Sequence, residues 1–220
     1  MTPVLVLRPE PGASVTVGRA RDMGLDTVSV PLFEIEPVAW QAPEAGRFDG
    51  LLLTSANAVH FGGKQLRALR GLPAYAVGEA TAEAARDAGF DIKSVGDSGA
   101  DRLLQSIEPG LTLLHLCGEV RKAPVEVRQR ITPVTVYRAK ERDVTLDQAP
   151  GCVILVHSPR AGRRLAELID DRDQSSVVAI SPAAAQAVGN GWKSVQSAEH
   201  PNDDAMLALA ARLCKKPVGE

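Results

Sequence analysis

The chain has no excess of charge of either sign. Its 220 residues carry 25 Lys and Arg against 27 Asp and Glu, a net charge of -2, which leaves no basic surplus to hold nucleic acid. It has no long hydrophobic run either: no apolar stretch approaches the ~20 residues that a membrane-spanning helix needs. Met1-Thr2-Pro3 leads directly into apolar Val4-Leu5-Val6-Leu7, too short a segment for a signal peptide and without its charged start, so a cytoplasmic protein with no membrane partner is expected. Cysteine is sparse. Cys117, Cys152 and Cys214 are odd in number, far apart and without a CxxC pair, the pattern of incidental thiols in a reducing compartment. The four histidines, His60, His115, His157 and His200, show no i, i+4 pair, so no metal site is expected. No GxGxxG follows a strand, which argues against a dinucleotide. Gly62-Gly63-Lys64 imitates the end of a phosphate loop, but Ala58 and Gln65 stand where that loop needs glycine and a hydroxyl. Aromatics make only 4% of the residues, hydrophobics 45% and charged residues 24%. This is an ordinary globular composition, in a chain long enough for two small domains with their own cores.

What is present centres on residues 48–89, which hold two strand-to-helix crossings. Gly50-Leu51-Leu52-Leu53 is apolar without alternation, as expected of a parallel strand covered on both faces. It ends at Thr54-Ser55, where a hydroxyl caps a helix predicted over 56–69. Ala74-Tyr75-Ala76-Val77 is the second strand, Gly78 the tight turn, and 79–88 an alanine-rich helix closed by Gly89. The two crossings recur at 153–160 and 177–184, with Ser158 in the place of Ser55 and Ser181 in that of Gly78. A repeat this long is a domain, so two similar α/β halves are expected.

Taken in order, the chain predicts a strand at 4–7, a helix at 14–23 and a strand at 27–30. An extended connector follows over 32–40. Residues 41–130 then form one parallel-sheet domain, with a late helix over 119–130 containing Pro124. A return connector spans 131–139. Residues 140–220 supply three strands and three helices, and the first strand and helix cannot bury a sheet alone. Residues 1–31 should therefore join 140–220 in a discontinuous domain, with the other domain inserted through two crossing strands. Ligand sites in such sheets lie at the carboxyl ends of the strands, and the cleft between two such domains is the natural site.

The strand ends Thr54, Ser55, Gly78, Thr81, Ser158 and Ser181 all open helices, and Arg8, Arg121, Arg138 and Arg160 lie near element ends. Together they describe anion-binding donors on a chain that is itself slightly negative, hence a polyanionic ligand other than nucleic acid. Neighbouring strand residues point to opposite faces, so His157-Ser158 does not form a base–nucleophile dyad, and Ser158 reads as a helix cap.

Several of these pieces carry a family resemblance: Leu53-Thr54-Ser55-Ala56-Asn57-Ala58-Val59, Val77-Gly78-Glu79-Ala80-Thr81-Ala82, Gly118 with Arg121, Thr135-Val136-Tyr137-Arg138, Ser158-Pro159, and Pro201-Asn202 to Met206-Leu207. In their order and spacing the chain resembles the uroporphyrinogen-III synthase family over nearly its whole length. The resemblance implies two flavodoxin-like α/β domains joined by a two-stranded ladder. It also implies a monomer without metal or organic cofactor, and a reaction that closes the linear tetrapyrrole hydroxymethylbilane to uroporphyrinogen III with inversion of ring D. The substrate's eight carboxylates suit the donors above, and transient contact with hydroxymethylbilane synthase would suit its instability. Tyr137 matches the family tyrosine proposed to give a proton to the departing hydroxyl; alternatively it is a connector residue packing between domains. Thr54, Ser55, Gly78, Thr81, Arg121, Arg138, Ser158 and Ser181 are the substrate-binding candidates. Two departures stand out: Ala183-Ala184, where a hydroxyl residue is common in the family, and Pro124 after Arg121. The rival reading is a two-lobed binding protein for an anionic metabolite; a receiver-type domain would need acidic residues at the strand ends, where this chain has Arg8 and Thr54-Ser55.

Overall fold

A computed structural model describes residues 2–97, 99–121, 123–125 and 127–215. In chain order its elements are β1 (Val4–Val6), α1 (Gly12–Asp22), β2 (Thr27–Ser29), β3 (Phe33–Pro37), β4 (Gly50–Leu53), α2 (Ala56–His60), β5 (Ala74–Val77), α3 (Glu79–Asp87), β6 (Ile92–Gly96), α4 (Ala100–Ser106), β7 (Thr112–Gly118), β8 (Arg130–Glu141), β9 (Val153–Val156), α5 (Pro159–Leu168), β10 (Ser176–Ala179), α6 (Pro182–Ala187), β11 (Ser194–Ser197) and α7 (Asp203–Cys214). The chain divides into two compact units, one formed by Met1–Glu34 with Glu141–Glu220, the other by Ile35–Lys140.

In the first unit five parallel strands run in the order β11-β10-β9-β1-β2. Val4, Val6, Val153, Leu155 and Val178 pack on one side against Met206, Leu207 and Ala210 of α7. Every residue of β1 and of β9 is buried, which is why both read as unbroken apolar runs.

The second unit carries a sheet in the order β3-β8-β7-β4-β5-β6, parallel from β8 through β6. Its core has two sides. Leu51, Leu53, Leu114 and Leu116 pack with Val59, Leu66 and Leu69; Leu52 and Leu113 pack with Leu103 and Leu104 of α4. The stretches expected as connectors run as β3 and β8, the two strands at one edge of this sheet.

Apart from the additional edge strand β3, the two sheets have the same strand order cut at different points in the chain. Set β4, β5 and β6 against β9, β10 and β11, and β7 and β8 against β1 and β2. The spatial orders β6-β5-β4-β7-β8 and β11-β10-β9-β1-β2 then coincide. Each has one place where the chain runs onward from neighbouring strands in opposite directions across the sheet: between β4 and β7, and between β9 and β1. Doubly wound sheets bind ligands at that switch point.

Two predicted helices take other forms. The helix expected over 56–69 stops at His60 and resumes as a 3-10 segment over Gly63–Leu69. Gly63 has φ +65°, the left-handed conformation that glycine adopts without a steric cost. A Cβ on Gly62 would lie 2.6 Å from the Ala58 carbonyl oxygen, so the paired glycines permit both the turn and its tightness. The helix expected over 119–130 is absent among the described residues of that stretch, and residues 122 and 126 lie outside them. Pro124 has no N–H to give and biases Ala123 toward extended backbone. Competing bonds hold the rest: the Val125 N–H donates to Asp101 Oδ1 at 2.8 Å, and Gln129 Nε2 donates to the carbonyls of Leu104, Ile107 and Glu108 at the end of α4.

Candidate active site

In the second unit the switch point opens into a cavity of about 420 Å³, lined among others by Thr54, Ser55, His115, Cys117, Arg121 and Tyr137. The end of β4 and the adjoining strands β7 and β8 place the side chains. Thr54 and Ser55 follow the last residue of β4, and Ser55 caps α2, its Oγ accepting from the Asn57 N–H at 3.2 Å. That bond uses a lone pair and leaves the hydroxyl proton free to donate. His115 and Cys117 are alternate residues of β7 and share one face.

Tyr137 is aimed by a bulge. The register of β7 with β8 runs evenly to Cys117 opposite Thr135 and then slips, so that Gly118 faces Tyr137. The Glu119 N–H donates to the Tyr137 carbonyl at 3.0 Å, which closes the irregular step. A Cβ on Gly118 would stand 2.8 Å from Tyr137 Cζ and 3.1 Å from its hydroxyl oxygen. The ring therefore lies directly over a residue that has no side chain.

Arg121 and Asp101 bring one formal charge of each sign to the lining of the cavity. His115 is almost fully buried, and burial, followed by the charge of Arg121, lowers its pKa from 6.5 to about 4. The ring is therefore neutral at physiological pH, with Nε2 2.9 Å from Thr54 Oγ1. Burial raises the pKa of the Cys117 thiol, and the charge of Arg121 opposes that rise.

The other candidates fall elsewhere. Gly78, at φ +83°, precedes α3, and Thr81 is buried one turn into that helix; neither lines the cavity. Arg138 pairs with Glu36 at 2.5 Å. In the first unit Ser158 caps α5 by accepting from the Ala161 N–H at 3.1 Å, and Ser181 caps α6 by accepting from the Ala184 N–H at 3.3 Å. Sequence reasoning passed over His115 and Asp101 as cavity residues. The signal for His115 was present, since an imidazole inside the run Leu113-Leu114-His115-Leu116 must find a partner when the strand is buried. Asp101 gave none; its role depends on a fold-back of the chain near Val125. Among the described residues no cluster of metal-binding side chains occurs, and no helix is long and apolar enough to cross a membrane.

Comparison with known proteins places this architecture. The crystal structure of uroporphyrinogen-III synthetase from Helicobacter pylori superposes with a TM-score of 0.65 at 19% identity, covering 97% of this chain and all of the other. A mutant uroporphyrinogen III synthase from Thermus thermophilus gives 0.53 at 17% identity, covering 97% of this chain and all of the other. These likenesses carry the fold. In sequence, uroporphyrinogen-III synthase of Chlorobaculum parvum is 27% identical over 209 residues, covering 82% of this chain and 85% of the relative. The family model described as Uroporphyrinogen-III synthase HemD matches residues 14–208, through both units. This chain belongs to the uroporphyrinogen-III synthase family.

Proposed function

We propose that this protein closes hydroxymethylbilane to uroporphyrinogen III, inverting ring D, as a lyase of haem biosynthesis. The observation that carries this reading is the family match over residues 14–208. For the site, the support is the cavity that gathers Tyr137, Arg121, Thr54 and Ser55 at the switch point of the second unit.

In this reading the Tyr137 phenol gives its proton to the hydroxyl leaving the substrate's hydroxymethyl carbon. The C–O bond breaks, water departs, and the adjoining pyrrole nitrogen lone pair supports the positive charge left on carbon. Uncatalysed closure already yields the type I isomer, so the protein's work is to hold one conformation while assisting that departure. Arg121 supplies charge to the substrate's carboxylates, and the Thr54 and Ser55 hydroxyls supply oriented hydrogen-bonding groups. Gly78, Thr81, Ser158 and Ser181 are proposed as further carboxylate-binding positions at strand ends. Arg138 would serve by exchanging Glu36 for a substrate carboxylate. The reading includes a cytoplasmic monomer that meets hydroxymethylbilane synthase transiently, since handover would outpace spontaneous closure.

The test generates hydroxymethylbilane in situ with its synthase, adds the protein, oxidises the products and separates the uroporphyrin isomers. Dominant type III at catalytic protein levels is expected. Type I alone, with the protein folded, overturns the reading in favour of a binding protein for an anionic metabolite. Tyr137→Phe should lower turnover and leave substrate affinity nearly unchanged.

A further inference from the structure

The equivalent switch point of the first unit, between β9 and β1, is arranged differently. Three donors converge there on one carboxylate, that of Asp203 at the start of α7. Arg8, just beyond β1, reaches both carboxylate oxygens from Nη1, at 3.0 and 3.1 Å. Thr16 of α1 donates to Oδ2 at 2.7 Å, and His157, just beyond β9, places Nε2 2.9 Å from Oδ1. The carboxylate is buried, 8% exposed. Burial by itself would raise its pKa, but the bonds from His157 and Thr16 and the charges of Arg8 and His157 outweigh it and hold the pKa at about 2.

Two details show that the surroundings are shaped for this carboxylate. A Cβ on Gly12 would come within 2.5 Å of the Arg8 guanidinium, so the start of α1 is kept bare for that side chain to lie across it. The His157 side chain is only 9% exposed, and its Nδ1 is buried with no hydrogen-bond partner among the described residues. The ring's orientation serves the Asp203 contact and leaves its other nitrogen unsatisfied.

We propose that Arg8, Thr16 and His157 constitute a carboxylate-binding site whose occupant is the chain's own Asp203. The position that accepts a ligand in such sheets is here filled from within, and the contact fastens α7 to β1, α1 and β9. A small free carboxylate, such as acetate or propionate, fits the site once the internal one is removed. The inference is independent of the reaction proposed above.

The test is Asp203→Ala in the full chain, followed by thermal unfolding in sodium acetate, propionate or chloride at equal ionic strength and pH. The variant should melt below wild type, recover several degrees with saturation in acetate or propionate but not in chloride, and lose that response when Arg8→Met is added. Wild type should respond alike to all three salts. An absent or non-saturating carboxylate response in the variant, or an equal response in wild type, overturns the proposal. If the variant is recovered only unfolded, refolding from denaturant reads the same site: recovery in acetate alone supports it, and equal failure in acetate and chloride overturns it.

Discussion

His115 is the cavity residue with the largest consequence for acid behaviour. It stays neutral in the fold down to about pH 4, whereas an unfolded histidine takes up its proton near 6.5. Between those values the unfolded state binds more protons, so stability is full above about 6.5 and falls as the pH drops toward 4. At ~1.36 kcal/mol per pH unit the loss is roughly 3 kcal/mol. Urea unfolding of His115→Gln should show that slope removed. Asp203 acts in a lower window: its contribution is present above the ordinary carboxyl value of 3.8 and is lost as the pH falls to about 2, worth roughly 2 kcal/mol on the same conversion. At the Tyr137 bulge, Gly118→Ala forces a methyl into the ring. It should cost about 1–3 kcal/mol in chemical unfolding and lower turnover about tenfold or more, and adding it to Tyr137→Phe should leave turnover at the level of Tyr137→Phe alone. Of the cavity residues, Arg121, Thr54 and Ser55 were legible as candidates because hydroxyls and charges near strand ends announce themselves in the sequence, whereas Tyr137 was named only through the family resemblance. The crowding of Tyr137 on Gly118 was not legible, because a slip in register between two strands leaves no local mark.

At the scale of elements, strands were easier to read than helices. Gly50–Leu53, buried at every residue, and Ala74–Val77, buried at Ala74 and Ala76 and partly buried between, have the bounds that their apolar runs suggest. The helix expected over 56–69 failed at two adjacent glycines whose joint effect depends on the packing of Leu66 against Gly62. The segment after Arg121 is governed by bonds to α4, a partner some 20 residues earlier in the chain, and helical periodicity cannot report such a tether. Gln129→Ala removes the donor that satisfies three carbonyls at the end of α4 and should cost roughly 2 kcal/mol in chemical unfolding. Ser158→Ala should cost about 1 kcal/mol through loss of the α5 cap; a change within a few tenths would show that backbone bonds suffice there.

For the whole molecule, the governing fact is that one sheet order is produced by two different cuts of the chain. The unit Ile35–Lys140 is continuous and has its own two-sided core, so residues 35–140 expressed alone should melt cooperatively by circular dichroism. Residues 141–220 alone should not, because β9 would lack the β1 neighbour that shares its register. The internal repeat made two similar halves visible in sequence, but their equivalence under a change of starting strand could be seen only from the spatial order.

On the ribosome the same pairing becomes a matter of timing. Val4, Leu5 and Val6 must align with Val153, Ile154 and Leu155, which are synthesised only after the whole of Ile35–Lys140. At about 5–20 residues per second that delay is on the order of ten seconds. The inserted unit can finish folding while the first strand of the chain, already able to pair with β2 on one side, still waits with its other edge open for β9, which has not yet been translated. An apolar run left open this long is where a nascent chain of this protein would be expected to need a chaperone.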